Sequence, residues 1–316
     1  MRIRRQLSLA LILQLICSPF SYSLTETAKI VDPLDQPPAV SAIAEENILI
    51  TGSADIERGI SFPPLDLLAS AMAIPIKVLL LNKNYANHNI SPETEAIVAD
   101  FVRKNNLHDV KVRINQFAPF QTLWRTATNG QMGIPYRIFG MPMGFIASTI
   151  GRPFGGLIIS DFYDPFSNTV NIYSDDVAIA LHELGHANDF AHRRWKGTYA
   201  ITRKFPGMNL YQEALATNTA INYLKEYGPD EEWIKAPNTL YPAYSSYCGS
   251  YLHFVPFGWL GALLGGHAAG RYKSHQIKKE IEARTLAKNT LAPNPNDAHL
   301  KASPDPAALS DFPLPN

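Results

Sequence analysis

Residues 174–192, SDDVAIALHELGHANDFAH, place histidines and a glutamate at a spacing that suits a metal ion. On an α-helix His182 and His186 stand at i and i+4, so both imidazoles leave one face and can hold a single Zn²⁺ at about 2.0–2.1 Å per nitrogen. Glu183 follows His182, about 100° further around the axis. From there its carboxylate can take a proton from a water that the ion acidifies and later deliver it to a leaving amine. The plainer alternative is a core helix whose two histidines are satisfied by their neighbours. The flanks favour a helix either way: Ser174 can cap it, Asp175 and Asp176 suit the positive end of its dipole, and VAIAL buries its first turns.

Other elements must position this segment. GLIISD (156–161) and TVNIYS (169–174) read as two short strands joined by the turn chemistry of FYDPFSN, a hairpin that feeds the helix and can supply an edge strand for an extended peptide. Further upstream, PIKVLLLNK (75–83) reads as a buried strand, Ser91-Pro92-Glu93 opens a helix to about 105, and DVKVRINQ (109–116) alternates as a strand with Val110, Val112 and Ile114 on one face. Residues 117–156 are rich in Gly, Pro, Met and aromatics without a clean period and receive no assignment. Downstream, RRWKGTYAITRKFPG reads as a loop with strand-like pieces, and Asn209 with Gln212 forms a capping box for a helix to about Tyr227. A Tyr-rich helical segment at 240–252, an apolar run at 254–266 and a basic amphipathic helix at 272–287 follow.

The HELGH segment, the strand pair before it and the helix after it resemble the zincin metallopeptidases over roughly residues 156–226. That resemblance implies an α+β fold: a small mixed sheet with an edge strand over the HExxH helix, and a mostly helical C-terminal half. It leaves the third ligand open. The metzincin branch reads HExxHxxGxxH, which sets His192 in register with the last ligand but puts Asp189 where the glycine turns the chain; Met208 is the Met-turn candidate. If the helix simply continued, His192 would fall about 80° short of His182 in helical phase and miss the ion. The gluzincin branch draws a glutamate from a second helix, within ExxA, and NLYQEALATNTAINYL offers Glu213 with Ala216. Glu213, Ala216, Thr217, Ala220 and Leu224 share a helical stripe, where a buried carboxylate needs a partner, although an acid early in a helix can also be solvated. Thr217 stands where the ExxAD form has an aspartate behind a ligand histidine, which leaves Asn218 or Asp189 for that role.

The nearest type is the zinc peptidase related to CAAX prenyl proteases and heat-shock membrane proteases. The resemblance implies hydrolysis of protein or peptide substrates with Zn²⁺ on His182, His186 and Glu213, and Glu183 as base and acid. It also implies an oxyanion stabiliser beyond the third ligand, where Tyr241, Tyr244, Tyr247, Tyr251 and His253 cluster. Tyr247 and His253 are the favoured pair, against the alternative of a packed aromatic helix face.

Composition sets the bounds. The chain has 316 residues, 46% apolar and 18% charged, enough for a real core. With 28 basic and 28 acidic residues, no general attraction to nucleic acid is expected. MRIRR, the apolar LSLALILQLI and Ser21-Tyr22-Ser23 have the layout of a secretory signal, so residues 1–23 read as a signal peptide and the protein as exported, periplasmic or secreted. Its removal leaves Cys248 as the one cysteine. Residues 24–45 read as an extended lead-in, 46–288 as a single zincin-like domain, and 289–316 as a disordered Pro-rich tail. The run 254–266 is too short to span a bilayer of about 30 Å and reads as a buried or interfacial helix, with peripheral membrane contact as one use. Two rivals to the peptidase reading are a non-catalytic zinc-binding envelope protein and a membrane or partner interaction module.

Overall fold

The computed structural model describes residues 55–154, 159–205, 207–252 and 254–291. The expected signal segment, the lead-in 24–45 and the tail from 292 onward lie outside the described residues. The chain divides into two units, Met1–Ser274 and His275–Asn316. The described part of the second unit, 275–291, is helical throughout.

The first unit is a mixed α/β structure, mostly helical, with a four-stranded sheet. Strands β1 (Asp55–Arg58), β2 (Lys111–Ile114), β3 (Phe162–Asp164) and β4 (Thr169–Ile172) run in the order β1-β2-β4-β3. The first three in that order are parallel, and β3 pairs antiparallel with β4 at the edge. Period-two alternation sorts the side chains: Val112 and Ile114 stand beside Val170 and Ile172, all fully buried on one face, while Lys111 and Arg113 look out of the other.

Helices α1 (Pro63–Met72), α2 (Ile74–Leu80) and α3 (Pro92–Lys104) precede β2, and α4 (Pro119–Thr128) and α5 (Ile134–Gly151) follow it. After β4 come α6 (Val177–Ala191), α7 (Lys196–Thr202), α8 (Met208–Tyr227), α9 (Asp230–Ser250) and α10 (Gly258–Leu291). Helix α3 begins as read: Ser91 Oγ accepts from the Thr94 N–H, Pro92 takes the first turn, and Ile97, Val98, Phe101 and Val102 are buried. Helices α3 and α6 cover the Val/Ile face, where Tyr163 of β3 packs its ring 5.4 Å from Phe190 of α6. Helices α4 and α5 cover the other face, where Arg113 donates to Thr122 of α4.

Several expectations are corrected. Residues 75–80 lie in α2 and 81–83 follow it outside any strand, because a short apolar run broken only by Lys77 carries no decisive period and Pro75 fits a helix's first turn. The unassigned 117–156 contains two helices; α5 is held on its inner side by Gly140, Gly144, Ser148 and Gly151, a period of small residues. Strand β3 forms within the segment read as a turn, while residues 156–158 of GLIISD lie outside the described residues. RRWKGTYAITRKFPG holds the short helix α7. Helix α8 starts after Gly207, whose φ of 85° is open to glycine, and Asn209 lies inside it; Gln212 is fully buried. Helix α9 begins at Asp230, well before the expected 240, and tolerates Pro237 and Pro242. Helix α10 merges the apolar run with the basic helix and runs into the first residues of the expected tail. Phe257 and Leu264 of that run are exposed. Among the described residues no single helix is long and apolar enough to cross a membrane; α1 and α2 pass that test only together, bent by 51°.

Candidate metal centre

Helix α6 is capped by Asp176, whose carboxylate accepts from the Ile179 N–H at 3.1 Å. Ser174, the expected cap, is buried one step earlier, accepting from the Ala86 N–H and donating to Asp161. Asp175 acts on a different helix: it accepts from Ser91 and Thr94 at the start of α3. The helix then runs unbroken to Ala191, with Leu181, Leu184 and Ala187 fully buried.

Helices α6 and α8 pack extensively against each other. They cross where Gly185 meets Ala216; a Cβ on Gly185 would come within 2.8 Å of the Ala216 carbonyl oxygen. This approach brings the imidazoles of His182 and His186 onto Glu213, one turn before Ala216. His182 Nε2 lies 3.1 Å from Glu213 Oε2, and His186 Nε2 lies 3.5 Å from Oε1. The donor atoms all lie within 4.8 Å of one another, and Glu213 is 1% exposed.

The surroundings fix these groups. Thr217 Oγ1 lies 3.3 Å from His182 Nδ1, so with Nε2 turned to an ion the Nδ1–H donates to the hydroxyl. The residue that departs from ExxAD thus supports the histidine itself, while Asp189, the expected supporter, is engaged by Arg193 and by the Tyr199 hydroxyl at 2.6 Å. Arg203 donates to Glu213 Oε1, which leaves Oε2 facing His182. Burial opposes ionisation of Glu213, but the charge of His186 and hydrogen bonds from both imidazoles hold its carboxyl well below the usual range. Burial also pulls both histidines down. In His186 it prevails; in His182 the hydrogen bond and charge of Glu213 prevail and raise it.

Glu183 projects toward β3, and its carboxylate accepts from the Tyr163 main-chain N–H at 2.9 Å. Burial pushes its carboxyl up to about 8, with the charge of Glu213 adding to the shift and that of His182 opposing it. Tyr163 stands on the sheet edge, so one outward donor of β3 is already committed. Main-chain pairing of a peptide to this edge would use other groups.

The remaining expected residues divide. Tyr247, on α9, lies in the field of this site: the charge of Glu213, then burial, holds its phenol well above the ordinary value, while 38% of the residue stays open. His253 lies outside the described residues. Tyr251 turns to α8, donating to Asn209 at 2.5 Å, and Tyr241 and Tyr244 are buried in α9. His192 is the C-cap of α6, exposed, with Nδ1 on the Asn188 carbonyl; the turn that would return it to His182 is absent, because the helix continues through Asp189. Met208 is simply the first residue of α8.

Sequence reasoning missed Arg203, Tyr85 and Asp161. Burial pushes the Tyr85 phenol up to about 12 beside the charges of Asp161 and Glu183. Asp161 holds the Tyr173 and Ser174 N–H groups at 2.7 and 2.9 Å, fixing the chain between β4 and α6. Arg203 had a usable signal: a buried glutamate on α8 needs a cation, and TRK immediately precedes that helix.

Two imidazoles and a carboxylate whose donor atoms lie this close could hold a metal ion. Comparison of the chain with protein-family models, with curated proteins and with solved structures finds no match.

Proposed function

We propose that this chain is an exported zinc-dependent peptidase of zincin-like fold, in which His182, His186 and Glu213 hold the ion and Glu183 transfers protons. The observation that carries the reading is the convergence of those three donors at the α6–α8 crossing, with a buried glutamate immediately beside them. The antiparallel edge strand next to α6 supports it.

Zinc bound there would supply a Lewis acid that acidifies a water and polarises an amide carbonyl. Arg203 keeps one oxygen of Glu213 occupied, so the other is presented singly. Thr217 fixes the tautomer of His182. The Tyr163 N–H holds one oxygen of Glu183 and leaves the second to accept a proton and then deliver it to the leaving amine. Tyr247 is the nearest candidate donor to a developing oxyanion.

A second reading also draws on Arg203. Glu213, two histidines and an arginine can form a buried polar network that joins α6 to α8 with no ion at all. Metal analysis separates the two. The peptidase reading expects about one zinc per chain and peptide cleavage that falls about 10²–10⁴-fold in Glu183→Gln with zinc retained. Equal cleavage by both proteins ends the assignment of Glu183, and a zinc-free chain after zinc loading leaves the polar network standing.

A further inference from the structure

On the face of the sheet away from the metal centre, α4 and α5 are built inside out. The inner side of α5 is Gly140, Gly144, Ser148 and Gly151, and that of α4 is Pro119, Thr122 and Thr126. Small groups inside let α5 lie close on the sheet: a Cβ on Gly140 would meet Phe166 at 2.3 Å. The large apolar groups are left outside. Ile134, Ile138, Phe139, Met143 and Ile146 of α5 are between 45% and 66% exposed, and Phe120 and Trp124 of α4 are 74% and 70% exposed. The ring of Phe120 packs edge-on to Phe145 at 5.6 Å, so the two helices share one surface. Neither helix contains an Asp or Glu; their charges are Arg125 and Arg137.

Phe120 and Trp124 also form the apolar wall of a pocket of about 410 Å³ that holds Lys111, Arg113, Arg125 and Glu57. The acids here are engaged: Asp55 and Glu57 both pair with Lys111 at 2.5 Å, and Asp55 also lies 4.0 Å from Arg125. Arg113 is 1% exposed and meets Thr122 and, at 3.5 Å, Gln121. Its Nε has no hydrogen-bond partner, and no carboxylate among the described residues forms an ion pair with it. Burying a guanidinium is costly, and the like charge of Arg125 adds to the cost, while the charges of Glu57 and Asp164 offset part of it. An anion entering beside Trp124 would relieve both.

We infer that the outer face of α4 and α5 docks on an anionic phospholipid bilayer, with the headgroup phosphate taken by the Arg113–Arg125 pocket. An apolar face whose two helices carry arginines and no carboxylate, bordered by a pocket of three cations and Glu57, is complementary to hydrocarbon bordered by phosphate. Trp124 sits at the border of the two, where an indole is best accommodated. The helices lie on the surface and do not cross it. The inference stands apart from the peptidase reading, since it uses the opposite face of the sheet.

The test reads Trp124 directly. The full chain is titrated with phosphatidylcholine vesicles carrying a brominated acyl chain, with and without phosphatidylglycerol, and tryptophan quenching is followed. Phosphatidylglycerol vesicles should quench the protein, and most of that quenching should vanish in Trp124→Phe. Omitting phosphatidylglycerol, or Arg125→Glu with an unchanged circular-dichroism spectrum, should weaken partitioning about tenfold or more. Vesicle binding that leaves Trp124 unquenched overturns the inference, because another segment then makes the contact. Quenching indifferent to phosphatidylglycerol and to Arg125→Glu overturns the headgroup pocket. A lipid-free dimer that Ile138→Ser dissociates, without vesicle binding, gives the face to a second copy and also overturns it.

Discussion

Helices α5 and α6 lie on opposite faces of one sheet and bury opposite kinds of side chain. Helix α6 turns Leu181, Leu184 and Ala187 inward and sets its histidines where α8 crosses. Helix α5 turns glycines and a serine inward and its isoleucines, phenylalanine and methionine outward. Both are rich in apolar residues, so apolar content alone does not reveal which side of a helix is the core. What differs is the distance to the neighbour. Helix α6 has room for leucines against the sheet, whereas α5 lies so close that only small residues fit. Close approach recurs in α6 at one point, Gly185, and there it brings together the three groups that could hold a metal ion.

The sharpest way to break the contrast is at the donors. Glu213→Ala should cost about 3–5 kcal/mol of stability, because Arg203 loses its buried partner, and should abolish stoichiometric zinc binding. Denaturant melts and metal analysis check this. No stability loss on α8 would mean that the site holds nothing together.

Paired truncations test the two faces next. Leu184→Ala on α6 should cost about 2–5 kcal/mol, while Ile138→Ala on α5 should stay within about 0.5 kcal/mol in lipid-free buffer. Comparable losses at both positions would show that something covers α5.

How much of this was legible in the sequence follows from the same contrast. HELGH, the strand 111–114 and the Ser91-Pro92 helix start were readable because each is a local pattern: a motif, an alternation and a cap. Glu213 was readable as one of two options, and the choice against His192 depended on whether Asp189 breaks the helix, which Arg193 and Tyr199 settle by engaging its side chain. Helix α5 was not readable, since its period is carried by glycines and a hydrophobicity scan sees the wrong face. Helix α2 escaped because a short apolar run broken only by Lys77 has no decisive period. Arg203 and Tyr85 reach the site from outside the motif; the cations before α8 hinted at the first, and tertiary packing alone places the second.

Two smaller effects refine the picture of α6. In zinc-free protein Glu183 ionises at about 8 when folded but near 4.3 when unfolded, so between those values the folded state binds the extra proton. Its contribution to stability is therefore present at low pH and lost as pH rises through that window, with a slope of at most about 1.4 kcal/mol per pH unit. Glu183→Gln should remove that slope in melts recorded from about pH 5 to 8. Glu213, held low, acts in the opposite sense and loses its contribution only as pH falls below the ordinary carboxylate range. Least in size, Thr217→Val should lower zinc affinity about 10–100-fold in a chelator competition while leaving the melt nearly unchanged.

The hydrogen bond from Tyr163 to Glu183 means that this buried carboxyl hangs from the sheet as well as from its helix. Any molecule that grips or bends β3 therefore pulls on the same group. Strand and carboxyl behave as one lever: a small displacement at the sheet edge, by lengthening one hydrogen bond, would be read out as a change in the acidity of Glu183.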